Sequence, residues 1–232
     1  MATTHFSSSV VAFLKRYIAK VKSLFFRKKK SVTDSLQSRL SINNFDKNKP
    51  MSSDEIKKLI QYTTLAPTAF NLQNWHFTVV RDSDKKASLK ELSYGQQKVE
   101  DASVSIIVSG LLEPQKLIER ALRPSLESEV LPQEVVDGWI GAVNNMYADN
   151  LEFQRDEAIR SASLASMALM LAADEMGLAS CPMIGFDPDG VKKEFNLPSA
   201  AVPAMIIPVG YALEGNWSRK PRLPIEQVHD II

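Results

Sequence analysis

With 232 residues, 44% of them hydrophobic and 24% charged, the chain has a globular composition and enough length for one sizeable core with additions. A single cysteine, Cys181, excludes an internal disulfide and a cysteine-based zinc site, and three scattered histidines (His5, His76 and His229) give no metal-binding cluster. The formal net charge of +1 conceals eight basic and no acidic residues in positions 1–33, which leaves 20 basic against 27 acidic residues in the rest; a body of net charge −7 excludes a general nucleic-acid binder.

The first element is a basic arm over residues 1–31. Val10, Leu14, Tyr17, Ile18, Val21, Leu24 and Phe25 recur at helical spacing, with Lys15, Arg16 and Lys22 off that face and Arg27-Lys28-Lys29-Lys30 behind it. The stretch is too short and too charged to span a bilayer. Three readings stay open: a helix of residues 10–30 lying on an anionic membrane surface, an extra helix packed on the body or a partner, or a targeting presequence. The chain otherwise reads as cytoplasmic.

The body spans residues 32–232. Ser53, Glu55 and the apolar positions after them read as a capped helix ended by Ala66-Pro67. Trp75 to Val80 has strand composition, and Ser103 to Ser109 reads as a more deeply buried strand. Pro132 opens a helix towards Asn145 or Tyr147, and residues 154–176 form the strongest helical pattern, stopped at Gly177. A short helix near Val191 to Phe195 and a strand from Val202 to Val209 follow. Strands spaced by helices, without repeats, predict an α+β layered domain. There is no G-x-G-x-x-G, P-loop or G-x-S-x-G, so neither the usual dinucleotide fingerprint nor a nucleophile elbow is present.

Polar and basic groups instead cluster beside turns, in four blocks: Arg39-Leu40-Ser41 to Phe45; Pro67-Thr68 through Asn71 and Gln73 to Phe77; Gly177-Leu178 through Pro182 to Gly185-Phe186-Asp187; and Lys220-Pro221-Arg222-Leu223-Pro224. An arginine and a serine two residues apart can address one phosphate through charge-assisted and hydroxyl hydrogen bonds. Lys98 stands alone before the buried strand. Taken singly, each block reads first as a turn or a solvated surface.

In order and spacing, the blocks R-x-S-x-x-x-F, P-[ST]-x-x-N-x-Q-x-W-x-F, G-L-x-x-x-P-x-x-G-F-D and K-x-R-x-P resemble the FMN-dependent nitroreductase family over roughly residues 34–228, most weakly at 113–150. The resemblance implies a central, mainly antiparallel sheet flanked by helices, in an intertwined homodimer with FMN at the interface. Arg39, Ser41, Lys220 and Arg222 match the positions that hold the FMN phosphate. Thr68 and Asn71 match the loop that meets the flavin ring or the neighbouring subunit's flavin. Lys98 matches a lysine at the pyrimidine end of the ring, where a cation stabilises charge on the reduced flavin. Pro182, Ile184 and Gly185 match a turn on the flavin face, with the Ile184 backbone N–H addressing N5.

No side chain is expected to act as general acid or base, because the flavin carries the hydride. The implied activity is ping-pong reduction of a nitroaromatic, quinone or enone with NADH or NADPH as donor; a second reading is a flavin-storage or regulatory member with little turnover. The chain departs from the pattern at Leu40, Asn43, Asn74, Gly95 and Ile184, positions expected to bear on FMN affinity and substrate more than on fold. Cys181 is expected to be a small core residue without a basic neighbour, and His76 a half-buried strand residue.

Overall fold

A computed structural model describes residues 30–232, so the pattern over residues 10–29 lies outside the described residues. Four strands, β1 (Trp75–Val80), β2 (Val104–Leu111), β3 (Ala179–Ser180) and β4 (Ala201–Gly210), form one sheet in the order β1-β2-β4-β3, with every pair antiparallel. Strand side chains alternate between faces, and β2 is apolar on both. Val104, Ile106 and Val108 enter one core with Ile207 and Val209 of β4, while Ile107 and Ile206 enter a second core with Val80, Leu89, Met183 and Val191. The run from Val104 to Val108, apolar but for the buried Ser105, is therefore that of a strand covered on both sides.

Helix α7 (Leu151–Glu175), 25 residues and so about 37 Å long, supplies Ala162, Leu169, Met170 and Ala173 to the first core beside α2 (Ser53–Thr63). The second core is closed by α3 (Ser83–Glu91), α4 (Lys98–Asp101) and α8 (Pro188–Glu194). The fold is α+β, with helices on both faces of an antiparallel sheet. His76 is half-buried on β1, as its strand position implies.

Several boundaries differ from expectation for local reasons. The cap of α2 is Ser52, not Ser53: the Ser52 hydroxyl accepts from the Glu55 N–H, and the Glu55 carboxylate accepts from the Ser52 N–H at 2.8 Å. Helix α7 starts ahead of residue 154 because the Asn150 side chain accepts the Phe153 N–H. Four helices were not anticipated: α1 (Val32–Ser38), α3, α4 and α5 (Ile118–Glu127). Of these, α1 is opened by a Ser31–Asp34 capping box, and α3 by Asp82, which accepts from the Asp84 and Lys85 N–H groups. Lys30 and Ser31, placed with the arm by sequence, touch the body. The Lys30 ammonium donates to Asp174 at 2.8 Å and to the Ser38 hydroxyl at 3.0 Å.

Helices α5 and α6 (Gln133–Tyr147) close a separate cluster around Leu72, Ile118, Leu122, Val136, Val143 and Tyr147. This lobe covers the stretch where the motif likeness is weakest. Buried Glu157 ties it to α7: it accepts from the Tyr147 hydroxyl at 3.3 Å and the Ser161 hydroxyl at 3.0 Å, and it pairs with Arg160. Burial, then the Glu157 charge, push the Tyr147 phenol up to about 12, so it stays a donor at neutral pH. Among the described residues, no helix is long and apolar enough to cross a membrane.

The tightest approach joins β2 to α7. A Cβ at Gly110 would sit 2.0 Å from the Ala158 carbonyl oxygen, a backbone atom that no rotamer change can move. Exposed Gly138 in α6 has open space around its Cβ direction. We expect Gly110→Ala to cost about 3 kcal/mol, lowering the melting temperature by roughly 6–12 °C. Gly138→Ala should instead stabilise by about 0.5–1 kcal/mol. Thermal melts of the two variants check both signs; equal effects would contradict the close-approach argument.

Candidate functional site

The segment after α1 is extended and lies beside the short strand β3. Ser41 bridges Ser180 in parallel, the Ile42 N–H donates to the Ser180 carbonyl at 3.1 Å, and Phe45 bridges Ala212. This segment sends Ile42 and, three residues on, Phe45 into a small core with Ala102 and Cys181. It leaves Arg39, Ser41 and Asn43 on the opposite side, where they line a cleft of about 380 Å³. That volume lies within the roughly 300–1,000 Å³ usual for small-molecule sites. Lys98, Cys181, Pro182, Trp217, Arg219, Lys220 and Arg222 complete most of the wall.

The C-terminal stretch reaches the cleft because Asn216 clasps it to the extended segment. The Asn216 carbonyl oxygen accepts from the Asn43 and Asn44 N–H groups at 2.7 and 2.9 Å, and its amide nitrogen donates to the Asn44 and Leu213 carbonyls. Gly215 makes the reversal between them with φ +83°, a conformation that favours glycine.

Five cations, Arg39, Lys98, Arg219, Lys220 and Arg222, line the cleft, and no acidic residue does. Asp174 is close to Arg39 but is held by Lys30 and Ser38. The Arg39 guanidinium is pushed below its ordinary value, first by burial and then by the like charges of Arg219 and Arg222. Its Nε is buried without a hydrogen-bond partner. A buried guanidinium nitrogen with no acceptor is an unsatisfied arrangement, and a polyanion with several acceptor oxygens would satisfy it. The lining thus fits a phosphate, which carries about −1.5 to −2 charge at neutral pH.

Of the sequence-predicted residues, the cleft gathers Arg39, Ser41, Lys98, Pro182, Lys220 and Arg222. Ile184 and Gly185 lie just beyond its wall. Ile184 is 79% exposed, and the Gly185 carbonyl accepts from the Gln96 amide at 2.8 Å, which ties this turn to the segment leading to Lys98. Thr68 and Asn71 do not line this chain's cleft. The Thr68 hydroxyl accepts the Gln73 N–H at 3.0 Å, in a loop where Phe70, Asn71 and Gln73 all have positive φ (49°, 54° and 46°). Three non-glycine residues in that region store backbone strain, which concentrates at functional loops.

Several readings of individual residues change. Asn43, counted as a lost contact, lines the cleft and accepts from the Lys98 ammonium at 3.1 Å. Asn74, a departure from the motif pattern, is fully buried and extends the sheet: its backbone carbonyl accepts the Leu111 N–H at 2.8 Å, and its side-chain amide donates to the Leu111 carbonyl. Cys181 is a buried core residue as expected, but basic groups do surround it. Burial raises its thiol above the ordinary range, and Lys98, Arg39 and Lys220 offset part of that. The opposition is invisible in sequence, since these cations come from three distant segments. Arg219, Asn216 and Trp217 were missed; the Arg219-Lys220-Pro221-Arg222 run was the available signal.

Comparison with known proteins places this geometry. The model of the nitroreductase family matches residues 36–211. The Bacillus subtilis protein YodC, provisionally named an NAD(P)H nitroreductase, is 33% identical over 195 residues, covering 84% of this chain and 96% of YodC. A CLA biosynthesis enone reductase of Lactiplantibacillus plantarum is 27% identical over 187 residues, covering 79% of this chain and 86% of that protein. The solved structure of a provisionally named nitroreductase from Exiguobacterium sibiricum in complex with FMN matches with a TM-score of 0.82 at 30% identity, covering 88% of this chain and 98% of that one. With the family match running through the sheet, its helices and the Arg39 end of the cleft, this chain belongs to the nitroreductase family.

Proposed function

We propose that the chain is an FMN-dependent oxidoreductase that takes electrons from NADH or NADPH and passes them to a small nitroaromatic, quinone or enone, donor and acceptor using one pocket in turn. The observation that carries this reading is the cleft with five cations, no acid and an unpartnered buried Arg39 Nε. FMN, when bound, supplies the hydride-transfer chemistry, and the protein supplies orientation, electrostatics and exclusion of water. Arg39, Ser41, Lys220 and Arg222 would hold its phosphate, with guanidinium forks suited to paired oxygens. Lys98, beside Asn43, would stand at the ring and stabilise negative charge there. Pro182, Ile184 and Gly185 would form the wall against the ring. In that role Ile184 needs only its backbone N–H, so its side chain is unconstrained.

The acceptor classes are supported by the relatives named as a nitroreductase and an enone reductase. A homodimer accounts for two further features. The strained loop holding Thr68 and Asn71 lies outside its own chain's cleft, and Tyr62, Leu65 and Leu164 leave 40%, 78% and 42% of their surface exposed. A second copy would cover such apolar surface and receive the loop at its flavin. The acid-free arm is a separate proposal: its cations favour an anionic bilayer surface, which would make the protein peripheral there.

The purified protein should be yellow, sediment at the mass of two chains, and lose its flavin absorbance anaerobically on addition of NADH or NADPH. Menadione or a nitrofuran should restore the colour over many turnovers. Arg39→Gln should weaken FMN binding about 10- to 100-fold, the loss of one charge-assisted hydrogen bond. A colourless protein that cannot be reconstituted with FMN contradicts the proposal; flavin reduction without acceptor turnover favours the storage alternative. For the arm, vesicles containing phosphatidylserine should co-sediment the full chain and release a version lacking residues 1–29. Unchanged binding after truncation would reject the membrane reading.

A further inference from the structure

Residues 220–232 are exposed throughout, and among the described residues every hydrogen bond they make is internal to that tail. Lys220 and Arg222 nevertheless stand in the cleft wall. The last attachments ahead of them are therefore what sets their position. One is the Asn216 clasp. The other is Arg219, which lines the cleft but directs its hydrogen bonds elsewhere: one of its terminal nitrogens lies 2.9 Å from the Leu36 carbonyl, 3.0 Å from that of Gln37 and 2.6 Å from that of Arg39.

These three acceptors are the C-terminal carbonyls of α1 and the carbonyl of its capping residue, the unsatisfied, partly negative end of a helix. A guanidinium satisfies them and anchors the tail to the backbone of Arg39 itself. Neighbouring like charges work against this arrangement. Arg39, Lys220 and Arg222 repel one another until an anion sits between them, and a tail without other anchors would swing away.

We infer that Arg219 is a positioning residue: by latching the tail to the carbonyl end of α1, it holds Lys220 and Arg222 opposite Arg39 and preforms the phosphate end of the cleft before the cofactor arrives. Asn216 is the second half of the latch. This rests on the FMN reading above, but it concerns residues that the family motif does not include. It separates three roles for Arg219. A phosphate ligand would contribute only charge. A purely structural residue would affect all ligands alike. A latch affects the phosphate contact and the freedom of the tail together.

The test uses the full chain and two probes, FMN and riboflavin, which differ only in the phosphate. Wild-type binding of FMN is the control, so a failure of the cofactor reading itself is seen first and separately. In Arg219→Met, FMN affinity should fall about 10- to 100-fold, as for losing well-placed charge-assisted contacts. Riboflavin affinity should stay within about twofold. In cofactor-free protein, limited cleavage by trypsin after Arg222, which needs the tail to leave the cleft wall, should accelerate about 10-fold or more. Arg219→Lys should restore most of both, since an ammonium can donate to the same carbonyls. Asn216→Ala should repeat the Arg219→Met pattern from the other half of the latch, which covers the case in which Arg219→Met folds poorly. Unchanged cleavage alongside weaker FMN binding would make Arg219 a phosphate ligand and overturn the latch. Parallel losses of FMN and riboflavin would overturn it in favour of a structural role, and FMN affinity within threefold of wild type in both variants would overturn it outright.

Discussion

Five cations held around one cleft repel one another, and much of the local architecture can be understood as the means of keeping them there. Arg39 is fixed by its place as the capping residue of α1, with its N–H donating to the Ser35 carbonyl at 3.0 Å. Lys98 finds the Asn43 side chain, and Arg219 finds the carbonyl end of α1. The carboxylate that could have neutralised Arg39, Asp174, is committed to Lys30 and Ser38. What remains is a set of charges with their backbones anchored and their mutual repulsion unrelieved. Such an arrangement favours a bound polyanion and disfavours cationic ligands.

The sheet supplies the rigidity this requires. Because β2 is buried on both faces and α7 crosses it closely enough to exclude a Cβ at Gly110, the centre of the domain has little room to relax. The cleft stands at the other end of that sheet, where β3 is only two residues long and ends at Cys181 and Pro182. There the extended segment Arg39 to Phe45 continues the sheet by single bridges instead of a full ladder, so its polar face is free to line a pocket. The α5–α6 lobe has its own apolar cluster, set apart from the two main cores.

The parts of the fold legible in sequence were those governed by local periodicity. The β1 strand, the buried Val–Ile run and the long Ala- and Leu-rich helix were visible because their burial is expressed in neighbouring residues. Helices α1 and α3 were not, being short or polar on most faces, and only their capping side chains mark them. For the site, Arg39, Ser41, Pro182, Lys220 and Arg222 could be named from ordered motifs, and Lys98 from the family resemblance alone. Asn43 and Asn74 could not be assigned, since whether an asparagine faces a cleft or a strand partner depends on which distant segment lies beside it.

By itself, then, the sequence determined the α+β class, the apolar strands and the inventory of basic residues, because side-chain type and short-range spacing suffice for these. Tertiary structure alone decided that cations from three separate segments share one cleft, that Cys181 sits among them with its thiol held up by burial, and that Thr68 and Asn71 do not line their own chain's pocket. It also decided that Arg219 serves helix carbonyls while its neighbours Lys220 and Arg222 face the cleft. Charge and spacing are the same for all three in the sequence. Their difference arises from the end of α1 about 180 residues away, whose unpaired carbonyls the folded chain brings within hydrogen-bonding distance of one guanidinium and not the others.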